Sequence, residues 1–220
     1  MGYPSPAEFD VLLLERPLEE VVNEYIFSGQ PYGGIPFAFR RRPGTMRVLA
    51  DHVRQSLNIP AAEITVIGSG KVGFSLSPDN YSRPFRKLSD LDVMIVDERL
   101  FDEAWHCLIR WNYPRRDEMP YTDYRWARQR HEEVFWGWIV PTKIKFEAVV
   151  HLPEILKPLR DLKDRWFGAF QSLSRRFDYP ELTARRTTGR LYRTRKHALM
   201  YHVDVLARIR DNLRSRQKGE

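Results

Sequence analysis

Two stretches decide the fold: Ile64-Thr65-Val66-Ile67-Gly68-Ser69-Gly70-Lys71-Val72-Gly73 and Ser89-Asp90-Leu91-Asp92-Val93-Met94-Ile95-Val96. Each holds a short apolar run rich in β-branched residues and bounded by glycine, serine or aspartate, which is how a buried strand reads. Both runs are too short for a helix of ordinary length. The chain therefore carries a sheet, with a glycine-rich turn after one strand and paired acids at the start of the other.

Working outward, Pro17 to Phe27 spaces Leu18, Val21, Val22 and Tyr25 at helical intervals, and Ser28–Pro36 is too rich in Gly and Pro for any regular element. Thr45 reads as the N-cap of a helix running to Asn58, with Val48, Leu49, His52, Val53 and Leu57 as its inner stripe. Glu98–Trp111 repeats the pattern with Phe101, Ala104, Trp105 and Leu108, and Tyr121–Phe135 reads as a further, highly charged helix. Lys143 to Val150 alternates as a half-exposed strand. Everything after Pro153 reads as helical, ending in a helix from about Thr188 to Arg214 with Leu191, Leu199, Val203, Leu206, Ile209 and Leu213 inside. The expected class is α/β (α+β): a small mixed sheet with N-terminal helices in residues 1–152, followed by a basic helical region in 153–220.

Composition bounds the rest. At 220 residues with 42% hydrophobic and 13% aromatic side chains, the chain has the material for a packed core, which excludes disorder. No run of 18 apolar residues exists, so no membrane span is expected. The mean hydropathy of -0.52 agrees. Met1–Pro6 has no basic segment leading into an apolar one, and Cys107 is the sole cysteine, so a reducing cytoplasmic setting is expected. The histidines show no metal-ligand spacing, which argues against zinc. His202 reads as a satisfied packing residue, and Trp136 and Trp138 as core.

Charge is uneven. Residues 157–220 hold 17 Lys+Arg against 7 Asp+Glu, whereas residues 1–156 hold 19 against 22. A basic tail on an acidic body suggests a polyanionic partner, with Arg185, Arg186, Arg190 and Arg193 as the candidate nucleic-acid contacts. The bland alternative is a solvated helix face that binds nothing.

Gly68-Ser69-Gly70-Lys71-Val72-Gly73 spells G-x-G-x-x-G, but Pro78 and Pro84 leave no room for the helix that a dinucleotide fold places after it. Asp90 and Asp92 also begin their strand, where that fold's ribose-binding acid ends one. Val72 after Lys71 excludes a P-loop. The pair Asp90 and Asp92 has a more direct reading. At i and i+2 on a strand both carboxylates project from one face, and like charges that close call for a cation between them. Hard oxygen donors suit Mg²⁺.

Ile67-Gly68-Ser69 followed by Asp90-Leu91-Asp92 resembles the DNA polymerase β-like nucleotidyltransferase superfamily over residues 63–150. The resemblance implies that Gly68 and Ser69 hold the triphosphate of an NTP, and that Asp90 and Asp92 bind two Mg²⁺. It implies Glu147 as the third carboxylate, completing one metal site and helping to activate the acceptor hydroxyl. Lys71, Arg83, Arg86 and Lys87 flank this site and are the expected phosphate contacts. Asp90 lies 21 positions after Ser69, longer than the family's usual spacing, which makes Ser77–Lys87 an insertion overhanging the site. The implied reaction moves an NMP from an NTP to an acceptor hydroxyl, whether an RNA or tRNA end, a protein or a nucleotide, with release of pyrophosphate. The competing expectation is a nucleotidyltransferase fold without turnover, acting as a binding or regulatory module.

Overall fold

The computed structural model describes residues 2–113, 128, 131–144, 154–176, 178–183 and 185–218. Helix α1 (Pro6–Glu15) opens the chain, followed by α2 (Leu18–Val21), which passes directly into a π-helical segment, Val22–Ser28. Then come α3 (Thr45–Leu57), strand β1 (Glu63–Ile67), the single turn α4 (Ser69–Val72), β2 (Leu91–Val96) and α5 (Glu98–Asn112). The short strand β3 (Trp138–Ile139), α6 (Lys157–Leu173), the turn α7 (Pro180–Thr183), β4 (Thr187–Tyr192) and α8 (Arg195–Lys218) complete it. Among the described residues no helix is long and apolar enough to cross a membrane.

The α+β class stands. The sheet order is β1-β2-β4-β3, with β1 antiparallel to β2, β2 parallel to β4, and β4 antiparallel to β3. One face carries Leu91, Val93, Ile95 and Leu191 into a core closed by α3, α5 and α6. The other carries Ile67, Met94 and Tyr192 against α1, α2, the π-helical segment and α8. The period-two alternation of each strand thus feeds two apolar cores, one per face.

Several expectations need correction. The chain after Pro153 is not wholly helical, because Thr187–Tyr192 is a central strand, and the last helix starts at Arg195 rather than Thr188. Leu191 belongs to that strand. The helical pattern misled because Leu191 happens to fall in step with Leu199 and Leu206, while pairing with Val93, Met94 and Ile95 fixes the segment as extended. The region after residue 153 therefore completes the sheet that the earlier region begins. Thr45 lies inside α3, whose N-cap is Gly44. The helix expected from Pro17 to Phe27 is split by the π-helical turn. Trp136 is 58% exposed and not core. Of the strand expected at Lys143–Val150, Lys143 ends a 3₁₀ turn and residues 145–150 lie outside the described residues, as does most of Tyr121–Phe135. Helix α1, absent from the sequence reading, is started by a capping box in which the Ser5 hydroxyl accepts from the Glu8 amide and Glu8 accepts from the Ser5 amide at 2.7 Å.

Gly189 sits in the middle of β4 because α6 leaves no room for a side chain there. A Cβ at that position would come within 2.4 Å of Phe170 and 3.0 Å of the fully buried Trp166. Gly189→Ala is expected to destabilise the protein by about 1–3 kcal/mol, the usual cost of overpacking a close-packed interior. Equilibrium denaturation checks this, and an unchanged midpoint would mean that α6 yields at no cost.

Candidate functional site

The register between β1 and β2 sets the site. Ile67, the last residue of β1, lies opposite Asp92, the second residue of β2. Gly68 then turns the chain with φ +61°, a left-handed conformation that favours glycine, and a Cβ there would lie 3.5 Å from Asp92 Oδ2. The Gly68-Ser69 turn and Asp92 are therefore neighbours because adjacent strands bring them together. The helix after the turn is one turn long, which agrees with setting the dinucleotide reading aside.

Strand β4 supplies what the sequence reading did not. Thr188 pairs in register with Asp92, and its hydroxyl donates to Asp92 Oδ1 at 2.9 Å. Arg190, two residues on and on the same face, holds its guanidinium against two rings, 4.1 Å from the centroid of Tyr201 and 4.7 Å from that of Trp138. Around these residues lies a cavity of about 390 Å³, lined by Gly68, Ser69, Asp92, Thr188 and Arg190 and also by Lys143 and Arg186. Its size falls in the range of small-molecule sites, roughly 300–1,000 Å³. A larger cleft of about 680 Å³ between α5 and α6 is lined by interspersed acids and bases, including Glu103, Asp161, Lys157 and Arg165, and contains none of the turn or paired-acid residues.

Asp92 keeps surface open to the cavity, but the protein around it strips enough water from its carboxyl to raise its pKa. The Thr188 hydrogen bond opposes that rise, the Asp90 carboxylate adds to it, and Arg190 and Lys143 pull it down. A carboxylate strained by burial and by a like neighbour is one that a divalent cation would relieve. Asp90 and Asp92 offer hard oxygens suited to Mg²⁺. Among the described residues no group of three or more His, Cys, Asp or Glu could hold a metal ion. Glu147, the expected third carboxylate, lies outside the described residues.

The other expected phosphate contacts fall elsewhere. Arg83, Arg86 and Lys87 are exposed and do not line the cavity. The segment around them folds back as a loop closed by the Phe74–Pro84 bridge, and it is Ser75, Leu76, Ser77 and Pro78 that reach the cavity wall. Lys71 is 1% exposed, with its ammonium donating to the Phe27 carbonyl at 3.2 Å. It ties the glycine turn to the π-helical segment.

The arginines expected as one nucleic-acid stripe are scattered by β4. Arg186 and Arg190 face the cavity. Arg185 lies over the Phe85 ring at 4.5 Å, with Nε and Nη1 buried and without hydrogen bonds. Arg193 is committed to the fold, with Nε donating to Asp102 Oδ1 at 2.9 Å and Nη2 to Oδ2 at 3.3 Å, and with Glu98 at 3.4 Å. His202 is buried at 7% exposure and lines the cavity, but its Nε2 finds no partner, so the expectation of a satisfied histidine fails. Burial, with Arg190 nearby, lowers its pKa to about 3, so it stays neutral. The signal for Thr188, Arg190 and His202 was present as polar residues spaced among apolar ones, but only the strand assignment gives it meaning.

Burial pushes the Lys71 amine down from its ordinary 10.5 to about 8. Between these values the unfolded chain holds a proton that the folded chain lacks, so raising the pH through that window favours the fold. Unfolding free energy of the parent relative to Lys71→Met is expected to climb from about pH 8 to about 10.5 and to stay level below about pH 7. Denaturant titrations at a series of pH values measure it. Parallel curves would mean that Lys71 titrates as it does in water.

Comparison of the chain with protein-family models, with curated proteins and with solved structures finds no match.

Proposed function

We propose that the protein is a metal-dependent nucleotidyltransferase that moves an NMP from a nucleoside triphosphate to an acceptor hydroxyl. The observation that carries this reading is the apposition of the Gly68-Ser69 turn and Asp92 at paired strand ends, beside Lys143, Arg186 and Arg190 in one cavity. Three cations in a concave site with few acids favour a polyanion of small-molecule size. The resemblance of Ile67-Gly68-Ser69 and Asp90-Leu91-Asp92 to the polymerase β-like superfamily supports the same choice.

Each residue then has a task. The Gly68-Ser69 turn lets backbone and hydroxyl approach the phosphates closely, since glycine puts no side chain in the way. Arg186, Arg190 and Lys143 offset the phosphate charge, the arginines with forked donors suited to phosphate oxygens. Thr188 holds the Asp92 carboxylate in one orientation. Asp90 and Asp92 would hold Mg²⁺, which supplies charge stabilisation at the reacting phosphate when bound. Glu147 is the proposed further carboxylate. The acceptor remains the class set out above, RNA included.

A second reading, nucleotide binding without turnover, draws on the strand beside Asp92. That strand offers Thr188 and Arg190 at the positions facing the cavity, and no acid. The two readings separate on one assay, incubation with each α-labelled NTP, Mg²⁺ and total RNA or lysate. Transfer of label is expected, with Asp92→Asn or EDTA lowering it by about 10²-fold or more, the scale of losing one charge-stabilising group at a reacting centre. Full transfer by Asp92→Asn would sink the metal-dependent reading. NTP binding by the parent with no transfer to any acceptor would favour the binding module.

A further inference from the structure

Three stretches of the chain carry no acid: residues 25–50, 80–89 and 182–203. The fold brings them together at two phenylalanine rings outside the cavity. Phe37 and Phe85 meet edge to face at 6.2 Å, and an arginine covers each of them. The Arg40 guanidinium lies 3.8 Å from the Phe37 centroid and donates to the Phe37 carbonyl at 2.8 Å. Arg185 covers Phe85 at 4.5 Å. Burial lowers the Arg185 pKa, Glu181 raises it and Arg40 lowers it further, so the two guanidinium groups share one surface. Arg86 and Lys87 follow Phe85 directly and Arg186 follows Arg185, all three exposed. Among the described residues Arg40, Arg86, Lys87 and Arg186 pair with no acid, whereas Arg42 has Glu181 at 3.9 Å. Like charges gathered without partners repel one another, and the fold bears that cost unless an anion offsets it.

We infer that this surface docks a single-stranded nucleic acid. Its cations sit on separate rings and separate loops, which suits a chain with one charge per nucleotide better than a single phosphate group. Arg40 and Arg185 are planar groups fixed on rings, so they offer unpaired bases a stacking face as well as forked donors for phosphate oxygens. A duplex keeps its bases out of reach of such a face. An acidic polypeptide or an anionic membrane would use the charge and leave the flat groups idle. Arg40, Arg86, Lys87 and Arg185 do not line the cavity, so the docking surface does not rest on the transferase reading. Arg186 belongs to both, which puts the end of a docked strand at the cavity mouth, where that reading needs an acceptor hydroxyl.

Fluorescence anisotropy of a labelled, unstructured RNA strand of about 12 nucleotides tests this, in EDTA and without NTP so that no transfer chemistry enters. The parent is expected to bind, with log affinity falling against log salt by about 0.7 per phosphate contact. Arg40→Ala, Arg86→Ala and Lys87→Ala together are expected to weaken binding about tenfold and to flatten that slope by about 2. Lys196→Ala, Arg214→Ala and Arg216→Ala, exposed positions on α8, remove the same charge and are expected to leave binding within about twofold. Should the variant with Arg40→Ala melt early, Arg86→Glu with Lys87→Glu carries the comparison. No binding by the parent, an unchanged slope in the first variant, or equal loss in both triple variants overturns the docking surface. Binding of duplex RNA of the same length, polyglutamate or phosphatidylserine vesicles as tightly as the strand overturns it too. Strand binding lost only in the first variant, with no label transferred in the NTP assay, upholds the surface and overturns the transferase reading alone.

Discussion

The parallel pairing of β4 with β2 is the constraint on which the rest of the molecule depends. It puts Thr188 against Asp92, Gly189 against Val93 and Leu191 against Ile95. Through that one register the strand does opposite things on its two faces. Toward α6 it presents a glycine and a leucine, small enough and apolar enough for Trp166 to pack down onto the sheet. Toward α8 it presents a hydroxyl and a guanidinium, which turn a strand end with one acid into a walled, cation-rich cavity. A slip of one residue would exchange these faces, burying Arg190 under Trp166 and leaving Gly189 over the cavity. Few errors would be more expensive, and the register is correspondingly over-determined by apolar contacts on one side and by the Thr188–Asp92 hydrogen bond on the other.

The charged residues divide by the same logic. Those that hold the fold together have found partners. Arg193 grips Asp102 with two hydrogen bonds and so fastens the end of β4 to α5, Arg195 pairs with Glu63 at the start of β1, and Lys71 is capped by a backbone carbonyl. Around the cavity the pairing is looser. Arg190 leans on aromatic faces and donates to the Tyr192 hydroxyl at 3.4 Å, Asp92 has one hydroxyl for a partner and a like charge for a neighbour, and the His202 Nε2 has no partner. Structural ion pairs of this kind contribute modestly at a surface. Groups that stay underpaired in a concave site are the ones with capacity left for something else.

The sequence makes some of this legible and hides the rest for identifiable reasons. β1, β2, α3 and α5 are readable because each is built from local periodicity, apolar runs of β-branched residues for the strands and a clean stripe for the helices. The juxtaposition of Gly68-Ser69 with Asp92 is readable because it needs only two neighbouring strands. β4 is not, because Thr187-Thr188-Gly189-Arg190-Leu191-Tyr192 contains a glycine where strands disfavour one and an arginine where burial disfavours one. Both are present for partners far away in the chain, Trp166 for the glycine and Tyr201 with Trp138 for the arginine. With β4 misread as helix, the arginines look like one basic stripe, and Thr188, Arg190 and His202 have no site to belong to. Lys71 failed for the converse reason, since its position in the glycine loop suggested phosphate and tertiary packing turned it inward.

The walls of the cavity come from residues 26, 67–69, 75–78, 92, 140–143, 186–190 and 201–206, so closing it means closing loops of nearly every length the chain permits. Local structure forms early and cheaply, whereas contacts between distant segments wait on chain entropy. When the chain emerges from the ribosome in order, β1 and β2 can pair and display Asp92 well before β4 and α8 have been made. Until then the acid stands at an open sheet edge, with no arginine wall beside it and no α8 behind it. The pocket thus waits on β4 and α8, and a chain caught before they are made has the acids without the enclosure.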